Sequence, residues 1–236
     1  MRYLFCIVAG LCTWLSSVSG EVPISFWHSM TGAKGKLLSD IVSRFNQDQK
    51  GKVAVSLQFV GSYEEGLNKL RTALLAHRGP NLIQIVEIGT RLMAESGAIR
   101  PLHELADGDP TFPLAQFLPG IRRYYEIGGK LFSLPFATSN PILYYNRSRL
   151  ESVGIKPPRT FDELEVAARK LTDPSRRQFG ITWPLHSWFF EQFMARQGQT
   201  LVDADNGRGG LPTKANFDTE AGVRVTRLWH KLVKEN

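Results

Sequence analysis

Residues 81–90 read NLIQIVEIGT. Leu82, Ile83, Ile85 and Val86 form an apolar run bounded by polar residues, which predicts a strand buried on both faces, as strands of parallel sheets are. Glu87 ends that run with a charge. It fits two readings: a residue that reaches solvent or caps the next helix, or a functional group at a strand end. The flanking sequence favours the second. Upstream, VPISFWHS (22–29) predicts a first strand, and Leu37, Leu38, Ile41, Val42 and Phe45 recur at helical spacing. KVAVSLQFV (52–60) predicts a second strand, and SYEEGLNKLRTALLAHRG (62–79) a helix with Leu67, Leu70 and Leu74 on one face and Gly79 and Pro80 as its stop. A short helix over Thr90–Ser96 follows the third strand. The β-α-β-α-β order implies right-handed crossovers and a parallel sheet, so an α/β fold. Ligands of open parallel sheets bind beyond the carboxyl ends of the strands. Trp27-His28-Ser29, Gly61-Ser62-Tyr63 and Glu87 all fall there.

Further along, the stretch IRRYYEIGGKLFSLPFATSNPILYYN (121–146) changes character. Gly128 and Gly129 between apolar segments predict a hairpin. PFATSNP reads as a crossing between lobes, and 142–145 as a further strand. In PPRTFDELEVAARKL (157–171), Thr160 with Glu163 three residues on predicts a capping box opening a helix. FGITW (179–183) predicts a strand and SWFFEQFMARQ (187–197) a helix. Residues 198–214 are rich in Gly and polar side chains, hence loop. A last helix over 219–234 carries Val223, Leu228, Leu232 and Val233.

The first twenty residues, MRYLFCIVAGLCTWLSSVSG, have the layout of a secretory signal peptide: Arg2, an apolar stretch over 3–15, then Val18, Ser19 and Gly20 small enough for cleavage. The apolar stretch is too short for a membrane span. Leu11 before Cys12 is bulkier than a lipoprotein signal normally allows, which favours soluble export. Cys6 and Cys12 both lie in this peptide, so a mature chain of 216 residues, 236 less 20, would have no cysteine for a disulfide or a metal site. Removing Arg2 takes the net charge from +7 to +6, which attracts anions. Lys and Arg are scattered, with short pairs at 122–123 and 176–177, which reads as a solvated surface and gives no nucleic-acid motif.

Signatures of catalysis are missing. No two of His28, His77, His103, His186 and His230 have HxxxH or HxH spacing, no serine lies in a G-x-S-x-G elbow, and no Gly-rich loop ends in Lys-Ser/Thr. DADNG (203–207) resembles part of a calcium loop but lacks the downstream glutamate, so it reads as a loop and no metal or cofactor is expected. His28 beside Trp27 reads as a structural histidine at a strand end. WPLHSW (183–188), two tryptophans around a proline and a histidine, reads as a loop rim that could offer flat apolar faces to a polyol, together with Tyr63.

Five segments, ISFWHSMTGAKGK (24–36), GSYEEGLNKL (61–70), IQIVEIGT (83–90), SLPFATSNPILYYN (133–146) and PPRTFDEL (157–164), resemble the family 1 extracellular solute-binding proteins of ABC importers. FWHSM and VEIGT are similar to their glycerol-phosphate branch, and the resemblance covers about 22–188. It implies a type II periplasmic binding-protein fold, two α/β lobes with parallel-type sheets joined by a hinge, with a first lobe over 21–139 and a second over 140–236, both incomplete. It implies ligand contacts from Tyr63 and Glu87 in the first lobe, Ser139 at the hinge and Trp188 in the second. The spacing of the two tryptophans departs from the family pattern, which leaves Trp183 less secure. The implied partners are glycerol 3-phosphate or a related small molecule and a permease in the inner membrane; the implied location is the periplasm. A sugar or oligosaccharide binder is the alternative, and a non-functional truncated fragment another, since family members run to roughly twice this length and their chain returns to both lobes. A secreted phosphodiesterase would share the charge and the ligand but requires a metal or nucleophile centre.

The basic, apolar and small-residue order of residues 1–20 carries the first testable expectation: export with cleavage after Gly20. Intact-mass measurement of the exported protein checks it, and a retained Met1 or a lipid on Cys12 refutes it.

Overall fold

The computed structural model describes residues 20–234. The expected signal peptide therefore lies outside the described residues but for Gly20. The chain forms two compact units, one ending at Glu87 and the other beginning at Ile88.

The first unit is built on a three-stranded parallel sheet with the order β2-β1-β3. Strand β1 spans Val22–His28, β2 Val53–Phe59 and β3 Leu82–Ile83. β1 is the central strand, paired along its length with β2 from Val22↔Val53 to His28↔Phe59. Helices α1 (Gly32–Asp48) and α2 (Tyr63–Leu75) make the crossovers. Phe26, Met30 and Leu38 form the buried core, with Val42, Val55 and Leu57 packed against them. Burial of side chains of this size stabilises by about 1.5–3 kcal/mol each. Asn46 of α1 holds the free edge of β2 from the side. Its amide nitrogen donates to the Val55 carbonyl at 2.9 Å, and its oxygen accepts from the Val55 N–H at 2.8 Å.

The third strand is shorter than its apolar run predicts. Only Leu82 and Ile83 pair with β1, at Phe26 and Trp27, and Leu82 is 51% exposed. The reason is position: β3 sits at the sheet edge with one neighbour, so only one flank of the run is covered. Two polar side chains fix its register. Asn81 Oδ1 accepts from the N–H and the hydroxyl of Ser25 at 2.9 and 3.0 Å, and past the pairing the Gln84 N–H donates to the Trp27 carbonyl at 2.8 Å.

The second unit opens with helix α3 (Thr90–Ser96), as its pattern predicts. The hairpin expected at Gly128–Gly129 forms, Glu126–Ile127 pairing antiparallel with Lys130–Leu131. The Phe161–Leu171, Ser187–Arg196 and Glu220–Lys234 helices pack together around Ala168, Leu228 and Leu232. Thr160 caps the first of these through the Glu163 N–H at 3.1 Å, while the Glu163 carboxylate accepts from Arg159 N rather than from Thr160. The last helix buries Val225, Leu228 and Leu232; Val223 and Val233 are exposed. A single inward stripe takes residues three and four apart, and 223 and 233 fall off the stripe set by 225, 228 and 232.

Two expected strands are absent. Residues 142–145 and 179–183 are irregular, and among the described residues no strand lies beside either. A strand needs a hydrogen-bonded neighbour to be stable in water. Ile142 and Phe179 are 70% and 71% exposed and line an open, mainly apolar cleft of about 1630 Å³, walled also by Leu164, Trp183 and Phe193. Exposed apolar side chains gathered along one cleft are the kind of surface on which proteins associate or aggregate. The chain should therefore bind an apolar fluorescent dye when folded and aggregate at raised concentration. Ile142→Lys together with Phe179→Lys should reduce both effects, measured by dye fluorescence and light scattering.

Candidate functional site

The site is built at the carboxyl edge of the parallel sheet. Because all three strands run in one direction, the chain leaves β1 at His28, β2 at Phe59 and β3 at Ile83 along one edge. Each exit is shaped by local chemistry. After β2, Val60 is almost fully buried and Gly61 turns the chain at φ +92°, in the left-handed region where glycine is free of strain. A side chain at Gly61 would also collide with the Glu65 carboxylate. Ser62 then caps α2: its hydroxyl accepts from the Glu65 N–H at 3.2 Å, and the Glu65 carboxylate accepts from the Ser62 N–H at 2.7 Å. This reciprocal box places Tyr63 at the first helical position, over the strand ends. Ser62-x-x-Glu65 is a signal of this box in the sequence.

Glu87 does not end a strand. It begins a single 3₁₀ turn, Glu87–Gly89, that leads into α3. The apolar residues Ile85 and Val86 span the gap between β3 and this turn, half-buried. Tyr63 and Glu87 are nonetheless brought together in the first unit. Burial holds the Tyr63 phenol above the usual tyrosine range, and the nearby Glu87 carboxylate pushes it further in the same direction. Tyr63 is thus a neutral hydroxyl beside a carboxylate, a donor next to an acceptor.

One residue of this edge, Gln84, was not singled out by pattern. Gln84 is 9% exposed and bridges β1 to α2 through its side-chain amide. Its place within an apolar run was the available signal, since a buried amide must find partners. His28 is buried between Phe26 and Phe59, and its Nδ1 accepts from the Met30 N–H at 3.2 Å. That fits the structural role expected of it.

The other two expected contacts belong to the second unit. Ser139 lies in an exposed irregular stretch. Trp188 is half-buried near the start of the Ser187–Arg196 helix, its ring edge-on to Phe189 with centroids 5.2 Å apart. The open cleft of this unit passes Asn140 and Phe189, the sequence neighbours of Ser139 and Trp188. Trp183 departs from the loop-rim reading. It packs against the core in a cluster with Phe193 and Trp229, because the three rings meet at centroid distances of 6.2–6.4 Å. His186 is exposed and caps the helix, its Nδ1 accepting from the Trp188 N–H at 3.1 Å. DADNG is a turn with three successive left-handed residues, 204–206, its Asp203 carboxylate accepting from Thr213 and Lys214. Among the described residues no group of three or more His, Asp or Glu is placed to hold a metal ion, and no helix is long and apolar enough to cross a membrane.

Residues 30–236 match the model of the family described as bacterial extracellular solute-binding protein. The chain is 31% identical over 237 residues to the sn-glycerol-3-phosphate-binding periplasmic protein UgpB of Yersinia pestis, covering 98% of this chain and 53% of that protein. The chain thus spans about half the length of the curated relatives it matches. Among solved structures it is similar to UgpB of Mycobacterium tuberculosis in complex with glycerophosphocholine, with a TM-score of 0.73 at 21% identity over 91% of this chain and 56% of the other. It is also similar to an ABC transporter solute-binding protein of Thermotoga lettingae bound with α-D-tagatose, with a TM-score of 0.67 at 24% identity over 91% and 55%. These likenesses show the type II periplasmic binding-protein fold, of which the chain carries about half.

The buried histidine gives a pH dependence. Burial lowers the His28 ionisation below its ordinary range near 6.5. The unfolded chain therefore takes up a proton at this residue before the folded chain does. Stability from His28 is complete above about pH 6.5 and declines as the pH falls, until the depressed folded value is passed. Protonation at Nδ1 also removes the acceptor for Met30. Urea melts between pH 8 and pH 5 should show this loss, and His28→Asn should flatten that part of the profile.

Proposed function

The chain belongs to the family of bacterial extracellular solute-binding proteins, and on that premise we propose that it binds sn-glycerol 3-phosphate or a glycerophosphodiester for delivery to the permease of an ABC importer. The observation that carries this reading is that Tyr63, tied by Gln84 to the sheet, and Glu87, whose charge acts on the Tyr63 phenol, both follow the carboxyl ends of a parallel sheet. A carboxylate accepts from the hydroxyls of a polyol, and each charge-assisted bond is worth about 1.5–3 kcal/mol. It repels phosphate. Glu87 therefore orients the ligand with its hydroxyls inward and its phosphate towards donors elsewhere.

The similarity to two glycerol-phosphate binders supports the substrate class. Ser139 and Trp188 are proposed as further contacts on the strength of their motifs, and the lobe boundary is placed at 139/140 on the same grounds. The periplasm is the proposed location. Binding and release are the whole activity in this reading, and no bond is made or broken. A sugar-binding role is the second reading, favoured by the neighbour bound with tagatose.

Titration calorimetry with sn-glycerol 3-phosphate and with a maltose-series oligosaccharide separates the two readings. Glu87→Gln should weaken glycerol 3-phosphate binding tenfold or more, about 1.4 kcal/mol per decade, and leave the melting temperature nearly unchanged. Unaltered affinity together with lost stability would make Glu87 a structural residue. Glycerophosphodiesters incubated with the protein should stay intact.

A further inference from the structure

A backbone N–H can only donate a hydrogen bond, and this fixes the direction of a short relay beneath the strand ends. The Ser29 N–H donates to Gln84 Oε1 at 3.1 Å. With its oxygen committed there, the amide turns Nε2 towards the Tyr63 hydroxyl oxygen, 3.4 Å away. An amide NH₂ has no acceptor to offer. The phenol oxygen therefore accepts from Gln84, and the phenol proton is left for an acceptor other than Gln84. Gln84 has little freedom to reverse this order. It is buried, its own N–H is held by the Trp27 carbonyl at 2.8 Å, and turning the amide over would set its NH₂ against the Ser29 N–H.

We propose that Gln84 is a positioning residue that makes Tyr63 an outward hydrogen-bond donor to the ligand. Tyr63 then offers a proton beside the acceptor Glu87, and a ligand hydroxyl that accepts from the first and donates to the second fits both. A group with acceptors alone, such as a fully ionised phosphate, would satisfy Tyr63 and be repelled by Glu87. The relay thus selects the polyol end of the ligand for this edge of the sheet. This inference rests on reading Tyr63 as a ligand contact, and its test separates the two.

Sn-glycerol 3-phosphate is titrated into the purified chain and its variants by calorimetry. Tyr63→Phe should cost at least tenfold in affinity; if it costs nothing, or if the unsubstituted chain takes up no glycerol 3-phosphate, the ligand-site reading falls. Gln84→Glu replaces the NH₂ by an acceptor and draws the phenol proton inward. It should cost at least tenfold alone and less than twofold in the Tyr63→Phe background. A full loss in both backgrounds would mean that Gln84 does not act through Tyr63, and the relay would be wrong. Gln84→Met, which adds no charge, should give the same non-additivity. The ligand-free chain gives an independent readout: Tyr63→Phe should shift the Gln84 side-chain amide resonances in a ¹⁵N NMR spectrum. Unmoved resonances would overturn the relay whatever the affinities are.

Discussion

The parallel register of β1 with β2 is the constraint on which the rest of the first unit depends. Parallel pairing forbids a tight turn and requires a crossover between successive strands, and α1 and α2 supply two of them. It also sends every strand out of the sheet at the same edge. Side chains from three distant stretches of sequence, at 28–29, 61–63 and 84–87, are thereby gathered without any contact designed for the purpose. The polar clamps then act on register alone. Asn46 holds Val55 from outside the sheet, and Asn81 holds Ser25. A slip of one residue would turn Phe26 out of the core and Gln84 away from Ser29. Core and site are therefore fixed by one geometry.

How much of this the sequence discloses follows from the range of each interaction. Helix starts are local, and Thr160 with Glu163 marks one correctly because the groups that meet lie three residues apart. The parallel sheet is legible from the order of elements. The extent of β3 is not, because an apolar run does not say whether one or two strands will flank it; at a sheet edge Leu82 stays half in water. The sequence reads Glu87 as a charge at a strand end, whereas it starts a 3₁₀ turn, because β3 ends at Ile83. Residues 142–145 and 179–183 carry strand composition, and composition cannot supply a partner. Trp183 was misplaced for a related reason: an aromatic cluster with Phe193 and Trp229 is a tertiary demand that outweighs the appearance of a rim.

The two units differ in how far their polar and apolar needs are met. In the first, Asn46, Asn81, Ser62 and Gln84 each close hydrogen bonds to backbone, and the apolar residues of β1 face a core. In the second, the helices around Ala168, Leu228 and Leu232 have a core, and Lys231 spans to Glu165 with both oxygens at 3.1 Å. Yet the segments of strand composition lie open along a cleft. The matched relatives are about twice as long as this chain. Hydrophobic burial is the dominant favourable term in folding, and a face left uncovered forfeits it while exposing backbone groups that a neighbouring strand would pair.

This contrast bears on recognition. A binding site is only as precise as the elements that hold its side chains, and affinity is lost to every degree of freedom that the ligand must freeze. Tyr63 sits on a capped helix and is tied through Gln84 to the central strand, so its hydroxyl is set before any ligand arrives. Ser139, by contrast, lies on an irregular, exposed stretch and would be ordered only at a cost in conformational entropy of about 1–2 kcal/mol per residue. In the reading proposed, the first unit therefore contributes most of the directional recognition: a donor whose polarity Gln84 fixes, and a carboxylate that can only accept. In that reading charge also orders the ligand, because the carboxylate that attracts the hydroxyls repels the phosphate.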